Sequence, residues 1–129
     1  MSRKQTSSGR DRTLEDFLHG KSDHTIALFN HFIKYYNKIG KITLHPAKTM
    51  IAIASQRKRI AYVTHLGKDF IHVVFPFEKS YPNNLCFQKI AQVPGDVRQF
   101  NHHFRMCTCE DVNEEVLEFM RLACGNSFA

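Results

Sequence analysis

Apolar residues recur along the chain at two different intervals, and the change of interval separates helices from strands. Steps of three and four predict an amphipathic helix from Ser22 or Asp23 to residues 37–40. A shorter segment, 13–18, predicts one or two helical turns in front of it. The apolar positions of the long helix are Ile26, Phe29, Ile33 and Tyr36.

After Gly40 the apolar residues alternate with polar ones, which is the period of a β-strand. The short connections between the middle segments are typical of antiparallel hairpins. Residues 76–94 are interrupted by Pro and Asn, so we expect a long loop there with room for one short strand or helical turn. The predicted strands are 42–45, 49–54, 59–65, 70–75 and 100–107.

The last element is a helix that ends at Gly125. Thr108 and Asp111 have the spacing of a capping box, so we expect this helix to begin directly after Thr108. Helices that flank a run of strands predict an α+β fold. We expect a single domain over residues 13–125, in which an antiparallel sheet of about four to five strands packs against N-terminal and C-terminal helices. Residues 1–12 are predicted to be a disordered basic arm, and 126–129 a short tail.

Charge and cysteine content narrow the class of protein. The 129 residues include 18 Lys and Arg against 12 Asp and Glu, a net charge of +6 that favours anionic partners. No apolar stretch resembles a signal peptide or a membrane span. The four cysteines are therefore expected to be reduced thiols, and the protein to be cytoplasmic with no membrane partner.

A group of soft ligands near the last predicted strand raises the question of a zinc site. His102, His103, Cys107 and Cys109 lie within eight residues. On an extended strand, however, His103 and Cys107 are four residues and roughly 13 Å apart, too far to share one ion. No catalytic motif is present either. We therefore predict no metal, no cofactor and no catalytic residue, and favour a protein that is not an enzyme.

One face of the predicted sheet offers a binding surface. If Ile71, Val73 and Phe75 face the helices, the side chains between them face the other way. Such a face can also stay in water or lie under the 76–94 loop. If it binds, a small anionic ligand or a protein partner fits its aromatic, imidazole and cationic groups. The candidate ligand-binding residues are Lys48, Tyr62, His72, His103 and Arg105.

A basic turn supports an alternative hypothesis. Arg57, Lys58 and Arg59 form the densest run of positive charge in the domain, and together with the N-terminal arm they could hold the phosphates of a nucleic acid. Hairpin turns are also commonly basic for solubility alone. The oligomeric state is open, although an edge strand or the Phe-rich surface could support a dimer.

Three segments of the chain carry a family resemblance: LEDFLHGKSDHTIALFNHF, KTMIAI and RIAYV, followed by His103 and by Cys109-Glu110-Asp111-Val112. Together they resemble an uncharacterised bacterial domain family whose members are often called predicted transport proteins, and which is related to the YdhG-like group of small α+β domains. The resemblance spans residues 14–124. It implies a curved antiparallel sheet packed on helices, sometimes joined to other domains in longer chains, with no established activity. Where the family has K-x-Y-I-A-F, this chain has Met50 and Ile53, so a shared aromatic pocket wall is not implied.

Overall fold

The computed structural model describes residues 11–125. Two helices precede the strands: α1 (Leu14–Leu18) and α2 (Asp23–Ile39). The strands are β1 (Thr43–Pro46), β2 (Ile51–Ala54), β3 (Arg59–Leu66), β4 (Ile71–Phe77), β5 (Phe87–Gln92) and β6 (Phe100–Met106). A 3-10 turn (Cys109–Asp111) then leads into α3 (Glu114–Ala123). The tail 126–129 and all of the predicted arm except Asp11 and Arg12 lie outside the described residues.

All six strands form one open antiparallel sheet in the order β1-β2-β3-β4-β6-β5. This confirms the predicted α+β class. The sheet has six strands rather than four to five, because β5 pairs with β6 at the sheet edge, within the segment predicted to be mainly loop. A bulge at Gln88 breaks the alternation of this strand, which is why its sequence does not look like one.

Helix α2 covers the inner face of the sheet. Its first turn is capped by Ser22, whose hydroxyl accepts the Thr25 N–H at 3.1 Å. Phe32 is fully buried, with its ring 6.3 Å from that of Phe75 and 6.5 Å from that of Phe104, measured between centroids. The apolar stripe predicted from the sequence therefore supplies one wall of the core.

Helix α3 completes the helical layer. The Tyr36 hydroxyl of α2 donates to the Met120 carbonyl at 3.1 Å, and this bond ties the two helices together inside the core. The predicted start of α3 was wrong by several residues. Asp111 accepts the Thr108 N–H as expected, but this box heads the 3-10 turn, and α3 begins at Glu114 with Asn113 as its N-cap.

A buried histidine fastens the segment 78–86 to the sheet. His102 is fully buried. Its Nε2 accepts the Tyr81 N–H at 3.1 Å, so the proton lies on Nδ1, which donates to the Phe100 carbonyl at 2.9 Å. Burial lowers the pKa of the imidazole below its ordinary value of 6.5. The ring also contacts the aromatic rings of Phe77, Tyr81 and Phe87.

No helix in residues 11–125 combines the length and the apolar character that crossing a membrane requires.

We predict that His102 makes the fold sensitive to acid. A second proton on the ring would face the Tyr81 N–H. Because the folded pKa lies below 6.5, the contribution of the neutral ring is fully present above that pH and is lost as the pH falls below it. The free energy of unfolding, measured in urea, should therefore be lower at about pH 5.5 than at about pH 7.5.

The variant His102→Gln should lose about 1–3 kcal/mol of unfolding free energy at the higher pH. On acidification the variant should lose less additional unfolding free energy than the wild type does. The loss that remains is due to His72 and His103, whose pKa values are also lowered. A variant that keeps the full wild-type pH dependence would contradict this role for His102.

Candidate functional site

The outer face of the sheet is not covered by the helices. Ile71, Val73 and Phe75 are fully buried in the core shared with α2 and α3, as the alternation predicted. Ala52 and Val74 are also buried but do not belong to that core. They are enclosed by their neighbours on the opposite face, which we call the open face.

The strand register aligns one residue from each of the six strands in a row across the open face. In the middle, Tyr62 stands between the smaller side chains of Ala52 and Val74, and its ring is half-buried. Ionisable groups occupy the ends. The row, called the first row below, is His45, Ala52, Tyr62, Val74, His103 and Lys89.

A second row lies one step along the strands and consists of His65, His72 and Arg105. Phe70, at the start of β4, is stacked with His65 at 5.3 Å between ring centroids. The Arg105 guanidinium carbon lies 3.8 Å from the centre of the same ring. The Phe70 ring therefore contacts both the His65 imidazole and the Arg105 guanidinium.

The two rows are joined by a hydrogen bond between imidazoles. His72 Nε2 and His103 Nδ1 are 2.8 Å apart, so one nitrogen donates and the other accepts. Burial is the main cause that lowers both pKa values, and it is assisted by Arg105 for His72 and by His72 for His103. Both rings are thus held in the neutral form near neutral pH, and Arg105 and Lys89 supply the permanent charge.

No acidic side chain balances these groups within the sheet. In the described part of the chain, none of the strands contains Asp or Glu. Neither Arg105 nor Lys89 forms a salt bridge within residues 11–125. The open face is therefore a surface of imidazoles and cations without carboxylates, and it favours a negatively charged contact.

A groove of about 410 Å³ runs along this face beside Tyr62. Its floor is apolar, and its polar groups are hydroxyls, amides and an imidazole, which can both donate and accept hydrogen bonds. One side of the groove is formed by Gln99 and Asn101, and the Gln99 side-chain Nε2 donates to the Asn101 Oδ1 at 3.2 Å. The lining residues are Met50, Tyr62, Thr64, Val74, Gln99, Asn101 and His103.

Four of the five residues proposed from the sequence lie together on the open face: Tyr62, His72, His103 and Arg105. Lys48 lies instead on the exposed turn between β1 and β2, where Met50 of the same turn lines the groove. That these residues bind a ligand stays a prediction.

Two basic residues of the rows, His65 and Lys89, were not predicted from the sequence. Strict alternation puts His65 on the inner face together with Val63, but a bulge at Thr64 turns it outward, opposite His72. The bulge at Gln88 does the same for Lys89, opposite His103. The only feature of the sequence that pointed to these two residues is that both lie in segments without carboxylates.

The basic turn lies at the far end of the sheet. Arg57 and Lys58 are exposed between β2 and β3, and Arg59, also exposed, is the first residue of β3. Lys58 and Arg59 line a second groove, of about 450 Å³, whose wall also contains Lys79 and Arg98. Arg98 is paired with Glu78 at 3.0 Å, so this groove is less purely cationic than the open face.

The cysteines form no metal centre in the part of the chain that the structure describes, where no three His, Cys, Asp or Glu side chains cluster suitably. All four thiols are free. Burial, with Glu115 nearby, raises the pKa of the Cys86 thiol to about 12, which keeps it protonated and unreactive.

Comparisons with protein-family models, with curated proteins and with solved structures gave no match to this chain. The resemblance to a bacterial domain family therefore stays a prediction. What the protein does must be inferred from the open face itself.

We predict that Gly67 controls the position of the Phe70 ring. A Cβ atom at residue 67 would overlap this ring, so Gly67→Ala should push it away from His65 and Arg105. The His65 ring protons should then lose the ring-current shift caused by Phe70 in a proton NMR spectrum, and overpacking should cost about 1–3 kcal/mol of unfolding free energy.

Gly40→Ala is the matched control, because a Cβ at residue 40 meets nothing within 4 Å and the backbone there is extended. It should leave the His65 resonances unchanged. An unchanged His65 spectrum in Gly67→Ala would show that Phe70 does not hold this side chain.

Proposed function

We propose that the protein is a non-enzymatic binding module that holds an anionic ligand on the open face of its sheet. One observation carries the proposal: the two rows bring imidazole, ammonium and guanidinium groups together on six strands that contain no carboxylate. Anionic groups are bound most strongly by charge-assisted hydrogen bonds of this kind.

The arrangement of cations on the open face is better explained by ligand binding than by a contribution to the stability of the fold. Arg105 is directly opposite His72, and Lys89 is directly opposite His103. Both rings are neutral in the free protein, so neither cation has an opposite charge directly across from it, and an anion would supply one. The proposal accounts for this arrangement, whereas a face that only contacts water gains nothing from it.

The groove beside Tyr62 supports recognition of more than charge. Its apolar floor can accept a ring or another flat group, while Thr64, Asn101 and Gln99 offer neutral donors and acceptors at the side. A ligand with an anionic part near Arg105 and an uncharged planar part near Tyr62 would use both regions. A cytoplasmic site of action fits the four free thiols.

A second candidate is nucleic-acid binding through Arg57, Lys58 and Arg59, with the N-terminal arm as a further contact. The exposure of the turn, and the groove that Lys58 and Arg59 line with Lys79, support it. The paired Glu78 beside this groove makes it the less favourable anion site.

The proposed function can be tested with short-chain inorganic polyphosphate as the anionic probe. We expect its addition to shift the backbone amide resonances of the open-face strands. Arg105→Ala should weaken binding about tenfold, the effect of losing one charge-assisted contact. Lys34→Ala is the matched control, since Lys34 is an exposed cation on α2, away from the open face, and it should leave the affinity unchanged.

Two results would reject the proposal. One is an equal effect of Arg105→Ala and Lys34→Ala, which would indicate nonspecific attraction. The other is a set of shifts confined to residues 55–59 and their neighbours, which would favour the basic turn as the binding site.

A further inference from the structure

We infer that the ligand of the open face is a single-stranded nucleic acid, with a base stacked on Tyr62 and the phosphates held by Arg105 and Lys89. This inference rests on the proposed function, because it names the class of anion that the face binds. Three features of the two rows support it: their length, the aromatic ring that borders the groove at their centre, and the neutral groups beside that ring.

The length of the first row favours an extended ligand. Neighbouring strands are about 4.8 Å apart, so the three steps from Tyr62 to Lys89 cover roughly 14 Å, and the five steps across the six strands cover roughly 24 Å. A small anion cannot contact Lys89 and Tyr62 at the same time. A polymer with regularly repeated phosphates can.

The ring at the centre favours a polymer with exposed bases. Tyr62 is half-buried between Ala52 and Val74, and its ring borders the groove. Aromatic side chains on an open sheet stack on unpaired bases, and this contact tolerates any sequence because every base has a flat face. Polyphosphates and sulfated polysaccharides have no such face and would leave this ring unused.

The groups beside Tyr62 suit the edges of bases. Asn101 and Gln99 carry amides, and Thr64 a hydroxyl, so each can donate and accept. An unpaired base presents both kinds of group on its edge. The second row, with Arg105 fixed against Phe70 and His72 beside it, then lies where the sugar-phosphate backbone would run.

The same geometry disfavours a duplex. Double-stranded DNA is read by a helix or a narrow ribbon that enters a groove, and its bases are stacked inside. The broad surface formed by the two rows has no projecting element of this kind, since α1, α2 and α3 all pack into the core on the other side. A duplex could touch the open face only through its phosphates.

The experiment is fluorescence anisotropy with the full chain of 129 residues and a labelled oligothymidylate of about twelve nucleotides. Competitors are the duplex of the same length and short-chain inorganic polyphosphate. We expect the single strand to bind more tightly than the duplex, and its affinity to fall steeply with salt. Arg105→Ala should reduce the salt slope by about 0.7, the value for one phosphate contact on a single strand.

The decisive variants are at Tyr62. Tyr62→Leu removes the ring but keeps an apolar side chain, and should weaken oligothymidylate binding about tenfold while leaving polyphosphate binding unchanged. Tyr62→Phe keeps the ring and should retain binding, which separates loss of stacking from loss of folding. Both variants should have the urea unfolding curve of a folded protein.

The outcomes distinguish this inference from the proposed function. Polyphosphate binding that depends on Arg105, without oligothymidylate binding, would overturn the inference and leave the proposed function standing. Absence of both would overturn both. Nucleic acid would be assigned to the basic turn if tight binding survives Tyr62→Leu but is lost when Arg57, Lys58 and Arg59 are replaced by Ala. Equal affinity for the duplex and the single strand would also reject the inference.

Discussion

The packing of α2 and α3 on one face of the sheet determines what the other face is free to do. Phe32 meets Phe75 and Phe104 in the centre of the core, and Tyr36 joins the two helices through its bond to Met120. The core around these contacts also contains the inward-facing apolar residues of β2 and β3, such as Ile53 and Val63. Since the apolar area that stabilises the fold is buried on that side, the residues of the open face can be selected for something other than stability.

The composition of the open face is informative for this reason. A solvated antiparallel sheet usually mixes charges of both signs, because opposite charges on neighbouring strands attract. Here Arg105 faces the neutral His72 across β4 and β6, and Lys89 faces the neutral His103 across β6 and β5. Each cation therefore lacks the roughly 0.2–1 kcal/mol that an oppositely charged cross-strand partner would contribute. Departures from good folding design of this kind are concentrated at functional surfaces.

Much of this architecture could be predicted from the sequence. The steps of three and four in α2 and the alternation of β3 and β4 each reflect one periodicity, so the buried side of each element follows from it. The bulges could not be predicted, because a bulge is a single extra residue whose position depends on the partner strand. Thr64 and Gln88 are such residues, and they reversed the direction of His65 and Lys89. For the same reason β5 was predicted only as a possible short strand within a long loop. The predicted start of α3 was wrong because a capping box can head a 3-10 turn as well as an α-helix.

The bond between His72 and His103 has a consequence for any anion that binds beside it. The pair holds a single proton between two nitrogens 2.8 Å apart, and burial keeps both rings neutral in the free protein. A negative charge placed next to them favours the imidazolium form, so complex formation would be accompanied by uptake of a proton from the solvent. The heat of association would then depend on the ionisation enthalpy of the buffer, and a calorimeter would register this pair of side chains although neither ring need touch the ligand.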